Sequence, residues 1–216
     1  MADQPRQLTA PPRSAARLLQ YHDLSESIVS ALDARDTYTA SHSNRVAEMV
    51  LVLAAALGLG PDETTLIHIA AHLHDIGKIA VPDAVLRKAG PLTADEWQEM
   101  RRHPVTGYNI LRRVADFQDI AVLVLHHHER WDGQGYPDGL SGTDIPLGSR
   151  IIAVADSIDA MMSSRSYRAA MTGAACRCEI EKNSGIMYDP RVASAALAHW
   201  DTLISRYAAD TPRAPY

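Results

Sequence analysis

Cysteine is almost missing from this 216-residue chain: Cys176 and Cys178 are the whole complement. Two thiols one residue apart make no disulfide framework, so the fold must rest on a buried core, and a reduced, cytoplasmic setting is expected. An excess of positive charge is missing as well. The formal net charge is −5, which gives no general field for nucleic acid, so neither DNA nor RNA is an expected partner. An anionic ligand would need a local cluster of Lys and Arg. The opening residues, MADQPRQLTAPPRSAARLL, contain no apolar core of a signal peptide. The longest apolar run, MVLVLAAALGLG at 49–60, is too short to span a bilayer and is flanked by Glu48 and by Pro61-Asp62-Glu63. No membrane association is expected. The chain also lacks strand-like alternation, internal repeats and a second domain boundary.

Helical periodicity fills most of the rest. Residues 1–20, rich in Pro, Ala, Gln and Arg, read as a flexible tail, and 21–210 as one domain. Leu24, Ile28 and Leu32 share a face that could be core or could pair with a second copy in a homodimer. Val46, Met49, Val50, Leu53 and Leu57 form a second stripe that ends at Gly58, a C-cap residue. Pro61-Asp62-Glu63 opens a third helix, with Leu66, Ile69 and Leu73 inward. Thr93 and Glu96 make a capping box, and Pro104 is expected to break that helix after His103. Ile120, Leu123, Val124 and His127 continue a stripe into three consecutive histidines. The stretch DGQGYPDGLSGTDIPLG must then be a loop. Ile151, Ala155, Ile158 and Met162 mark the next helix, and Val192, Ala196 and Trp200 a last one over 190–207. The expected fold is all-α, a single helical bundle of about seven to nine helices.

Ten histidines stand out against this background. His42, the pair His74-Asp75, His103, the run 126–128 and Asp156 recur at intervals of about 24 to 32 residues, close to one helical hairpin each. In a bundle that spacing lets one ligand arrive from each of several helices. Five or six His and Asp ligands exceed the needs of one ion and suit two, with a carboxylate between them. Asp156, inside the apolar stretch IIAVADSI, would be costly without a cation or a hydrogen-bond network.

The ordered set His42, HDIGK at 74–78, His103-Pro104, HHERWDGQGYP at 127–137 and ADSIDA at 155–160 resembles the HD-GYP family of phosphohydrolases. The resemblance runs from about Ser27 to Trp200. It implies an HD-type bundle and a cyclic di-GMP phosphodiesterase with linear pGpG, or GMP, as product. It implies His42, His74, Asp75, His103, His127, His128 and Asp156 as metal ligands, with Asp75 bridging two ions, iron or manganese. Water held between the ions would attack phosphorus in line. Lys78 would meet a phosphate, with Arg165 and Arg168 adding positive charge, and Gly135, Tyr136 and Pro137 would form a loop beside the site. His126 is then the spare histidine, and Asp159, one turn from Asp156, a residue that holds a Lys or a His in place.

Two departures qualify this. Tyr38 stands where relatives with three metals carry a glutamate, which favours two metals and arrest at pGpG. SGIMYDP stands where many relatives have a G-T-Q-F-D-P-like segment, with an effect on packing alone. Two other readings remain open: hydrolysis of another cyclic dinucleotide, and a non-catalytic signalling module that docks proteins through its GYP loop.

Overall fold

The computed structural model of the protein describes residues 15–33, 42–164 and 169–208, and every regular element in them is helical. The α-helical segments are α1 (Ala15–Asp33), α2 (His42–Ala56), α3 (Pro61–Leu73), α4 (Asp83–Leu86), α5 (Ala94–Met100), α6 (His103–Leu111), α7 (Gln118–Leu125), α8 (Leu147–Met162), α9 (Gly173–Lys182), α10 (Pro190–Ala198) and α11 (Trp200–Ile204). With the single-turn pieces α4 and α11 set aside, nine remain among the described residues, at the upper end of the expected seven to nine. None of the described helices is long and apolar enough to cross a membrane.

Local chemistry accounts for most of the boundaries. Gly58 closes α2 with φ +73°, a backbone state that only glycine adopts without strain. Pro61 begins α3, where a missing N–H costs nothing, and Asp62 and Glu63 face the positive end of the helix dipole. Thr93 and Glu96 exchange backbone hydrogen bonds in a reciprocal cap of α5. The core forms where α2 packs on α3 and α8, and α3 on α7. It contains Val46, Val50, Leu53, Ile67, Ile69, Leu73, Ile120, Val124, Ile151 and Ile158. Each such side chain, fully buried, stabilises the fold by roughly 1.5–3 kcal/mol.

Four local expectations are corrected. Helix α1 starts at Ala15, inside the stretch read as a tail; residues 1–14 lie outside the described ones. Its buried face is Ser25, Val29 and Leu32, while Leu24 is 51% exposed, so the inward stripe is turned by one residue. Pro104 does not end a helix. Helix α5 stops at Met100, and Pro104 lies in the first turn of α6, where its ring and missing N–H are harmless. The expected last helix is interrupted at His199 (φ −112°, ψ 25°), with α10 before it and α11 after it.

Candidate metal centre

The polar residues singled out above sit at helix ends that face one another. His42 is the first residue of α2 and His103 the first of α6. His74 and Asp75 follow α3 directly and lead into a 3-10 turn over Ile76–Ala80. His127 and His128 lie just past the end of α7, and Asp156 is inside α8. That turn is pressed against α6. A Cβ on Gly77 would lie 1.9 Å from the His103 carbonyl oxygen, so the glycine of HDIGK permits the contact that brings Asp75 and His103 together.

Four of the five imidazoles are oriented from behind. The Nδ1 atoms of His74, His103 and His127 face the carbonyls of Ala71, Met100 and Val124 at 2.7, 2.7 and 2.6 Å. A carbonyl only accepts, so Nδ1 carries the proton and Nε2 presents a lone pair. His42 Nδ1 pairs with Asp159 Oδ2 at 2.6 Å, and Asp159 is itself held by Arg45, Ser163 and Tyr207. The Nε2 atoms then point inward. His74 Nε2 is buried with no hydrogen-bond partner in the protein. His103 Nε2 and His127 Nε2 face each other at 3.3 Å. Two lone pairs at that distance repel unless a cation lies between them. The spacing matches two nitrogens of a tetrahedral ion at bonds of about 2.0–2.1 Å.

Asp75 lies between two such groups. Its Oδ1 is 3.3 Å from His103 Nε2, and its Oδ2 is 3.4 Å from His74 Nε2 and 3.9 Å from His42 Nε2. Asp156 Oδ1 stands 3.3 Å from His42 Nε2 and 4.0 Å from His74 Nε2. His42, His74 and Asp75 form one set with ligand atoms within 4.8 Å of one another; His103, His127 and His128 form a second. These donors suit borderline divalent cations. Lys78 Nζ lies 2.5 Å from Asp75 Oδ2 and supplies positive charge at the rim.

The electrostatics agree with a cation site. Burial drives His103 down to about 3 and His128 to about 4, and holds His127 well below its ordinary value, so these rings are neutral ligands at pH 7. Burial opposes ionisation of Asp75, but Lys78 and the surrounding histidines outweigh it and keep it ionised. The same contest, decided by His42, keeps Asp156 ionised. Burial also opposes protonation of His42, yet Asp156 and Asp159 raise it to about 9.

The GYP loop is anchored beside His128. The buried Glu129 carboxylate accepts from the N–H groups of Asp138 (2.7 Å) and Gly139 (3.1 Å). Tyr136 N–H donates to the His128 carbonyl at 3.2 Å, and the Tyr136 ring centre lies 4.9 Å from that of His128. A Cβ on Gly135 would lie 2.3 Å from Arg130 N, so only glycine fits this crossing. The Tyr136–Pro137 peptide is cis. Arg101 lies over the Tyr136 ring at 5.2 Å. The segment 184–190 does more than pack: Trp131 and Asp132 N–H donate to the Met187 and Ile186 carbonyls, and Asp189 pairs with Arg150.

The expected ligands His42, His74, Asp75, His103, His127, His128 and Asp156 thus come together, with Lys78 and Tyr136 at the rim. His126 turns away, its Nδ1 3.8 Å from both Glu129 and Asp138. Arg165, Arg168 and Tyr38 lie outside the described residues. The sequence reading missed Glu129, Arg45, Arg101 and Tyr207; only Glu129, inside the HHE run, carried a motif signal.

A model of the HD domain family matches residues 26–192. The chain is 44% identical over 172 residues to a cyclic di-GMP phosphodiesterase response regulator of Xanthomonas campestris pv. campestris, covering 79% of this chain and 46% of that protein. It is 44% identical to a cyclic di-GMP phosphodiesterase of Thermotoga maritima (76% and 45% covered). It is 39% identical to a 3'3'-cGAMP-specific phosphodiesterase of Vibrio cholerae (85% and 35% covered). The chain therefore spans less than half the length of these curated relatives. An HD-GYP-type protein from Bdellovibrio bacteriovorus shares the fold at a TM-score of 0.65 and 18% identity, covering 85% of this chain and 64% of that one.

Proposed function

The chain belongs to the HD domain family, and from that premise we propose that it is an HD-GYP-type, metal-dependent phosphodiesterase that opens cyclic di-GMP to linear pGpG. The observation that carries the reading is the inward-facing set of Nε2 atoms with one Asp75 oxygen toward each group. His42, His74, Asp75 and Asp156 would hold one cation, and Asp75, His103, His127 and His128 the other, with iron or manganese the best fit to mixed imidazole and carboxylate donors. A pair of divalent cations supplies Lewis acidity for the phosphodiester and for the attacking water.

The chain's own residues do the rest. Backbone carbonyls fix the tautomers of His74, His103 and His127 before any ligand arrives, and Asp159 holds the His42 ring by its Nδ1, so little reorganisation is needed. Lys78, beside Asp75, would pair with a phosphate oxygen, and Arg165 and Arg168 would add charge for the second phosphate. Tyr136, braced by Arg101 and by Glu129's hold on the loop, would give a face against which the ligand lies. Hydrolysis adds water across one P–O3' bond, leaving a 3'-hydroxyl and a 5'-phosphate.

A relative specific for 3'3'-cGAMP at 39% identity favours a second substrate reading, a mixed GMP–AMP ring. The intact ligand set argues against a purely non-catalytic docking module. Anaerobic incubation of the iron- or manganese-loaded protein with cyclic di-GMP, and separately with 3'3'-cGAMP, tests all three. A pGpG peak that is lost in Asp75→Ala supports the proposal, as Tyr38 in place of a glutamate suggests. GMP as main product would discard the role given to Tyr38, turnover of 3'3'-cGAMP alone would move the substrate, and no turnover by metal-loaded protein would favour docking.

A further inference from the structure

A second imidazole cluster lies away from the centre just described. His68 and His72 sit one turn apart on α3, and His22 reaches them from α1. Their rings pack closely: His68 and His72 centroids are 4.7 Å apart, His22 and His72 5.1 Å, and His22 and His68 5.2 Å. One ligand atom from each lies within 4.8 Å of the others. The ordinary explanation of such histidines is a hydrogen-bonded packing role, and His72 satisfies it on one side only, where its Nε2 can donate to His68 Nε2. His72 is 3% exposed, yet its Nδ1 has no hydrogen-bond partner in the protein. Its Nε2 faces only another imidazole, His68 Nε2, at 3.2 Å. His68 Nδ1 faces the Ala47 carbonyl at 3.0 Å and must carry the proton, so His68 Nε2 presents a lone pair to its neighbour. The 3.2 Å gap is close to the nitrogen–nitrogen edge of a tetrahedral site with bonds of about 2.0–2.1 Å. Glu26, one turn from His22 and 3.9 Å from its Nε2, supplies an oxygen donor at the open side.

We propose that His22, His68 and His72 form a separate zinc site that clips α1 to α3. Three imidazoles and one oxygen donor suit zinc, and ligands on two helices make the site structural: the ion ties α1 to the body of the bundle. The group shares no residue with the main centre.

The test uses the full chain with the main centre disabled by Asp75→Ala and His103→Ala. Zinc titration followed by cobalt(II) substitution should show about one equivalent bound, with the visible d–d bands of a tetrahedral ion, and zinc should protect α1 from limited proteolysis. Adding His22→Gln, at a partly exposed side chain, should weaken zinc by at least about tenfold, and His68→Gln with His72→Gln should abolish binding. If the disabled chain does not fold, zinc-loaded wild type and His22→Gln are compared by metal analysis after gel filtration, with one equivalent fewer expected in His22→Gln. Absence of zinc binding in the disabled chain, or equal zinc affinity with and without His22, would overturn the proposal.

Discussion

At the scale of single residues, the hold on a ligand matters as much as the ligand. Asp159 touches His42, Arg45, Ser163 and Tyr207. Asp159→Asn removes the charge that orients His42 Nδ1–H. Metal affinity should drop by about 10- to 100-fold, read by competition with a chelator, while the fold survives. Retained affinity would mean that packing alone holds His42. The residues that converge here were legible in the sequence through the resemblance and their hairpin-length intervals, since each His or Asp alone is a weak signal. Arg45 and Tyr207 were not, because their task depends on a contact across 114 and 48 residues with Asp159, and nothing local marks it.

At the scale of elements, two devices hold the centre together, and each predicts a distinct failure. Gly77 lets the 3-10 turn after α3 lie against the start of α6. Gly77→Ala places a Cβ 1.9 Å from a backbone oxygen, a clash no rotamer relieves. It should destabilise the protein by at least about 2 kcal/mol in urea unfolding and separate Asp75 from His103. Glu129 acts on the other side of the site, through two backbone N–H groups of the GYP loop. Glu129→Ala should leave metal content intact but open residues 130–146 to protease and raise KM more than it lowers kcat. The periodicity of apolar residues made α2, α3, α7 and α8 legible, since their inward faces are continuous. Helix α1 was harder: Leu24 looks like a core residue, but Ser25, with its hydroxyl turned back to the His22 carbonyl, is the one that is buried. The break at Met100 was misjudged because a proline marks a helix start as readily as a stop, and the one at His199 because no proline or glycine stands there to signal it.

At the scale of the whole molecule, the buried titratable groups set a pH profile that metal should reshape. In the metal-free protein His72 and His103 are pushed down to about 3 and His128 to about 4, chiefly by burial. Between those values and their ordinary 6.5 the unfolded chain binds protons that the folded one refuses, so stability falls as pH drops below about 6.5. Asp159, held near 2, adds to the loss below about pH 4. His42 works in the opposite sense. Its carboxylate partners raise it to about 9, so the folded state holds a proton that the unfolded chain has released above 6.5, and that stability is lost as pH rises through 9. The metal-free protein should therefore be most stable near pH 6.5 and weaken on both sides. A cation on His42 Nε2 displaces that proton, so loading should remove the alkaline limb and leave the acidic one, where protons compete for the ligands. Urea midpoints from about pH 4 to about pH 9.5, with chelator and with manganese, measure this directly. An alkaline limb that persists in the loaded protein would place the cation away from His42 and leave only the His103 side of the centre occupied.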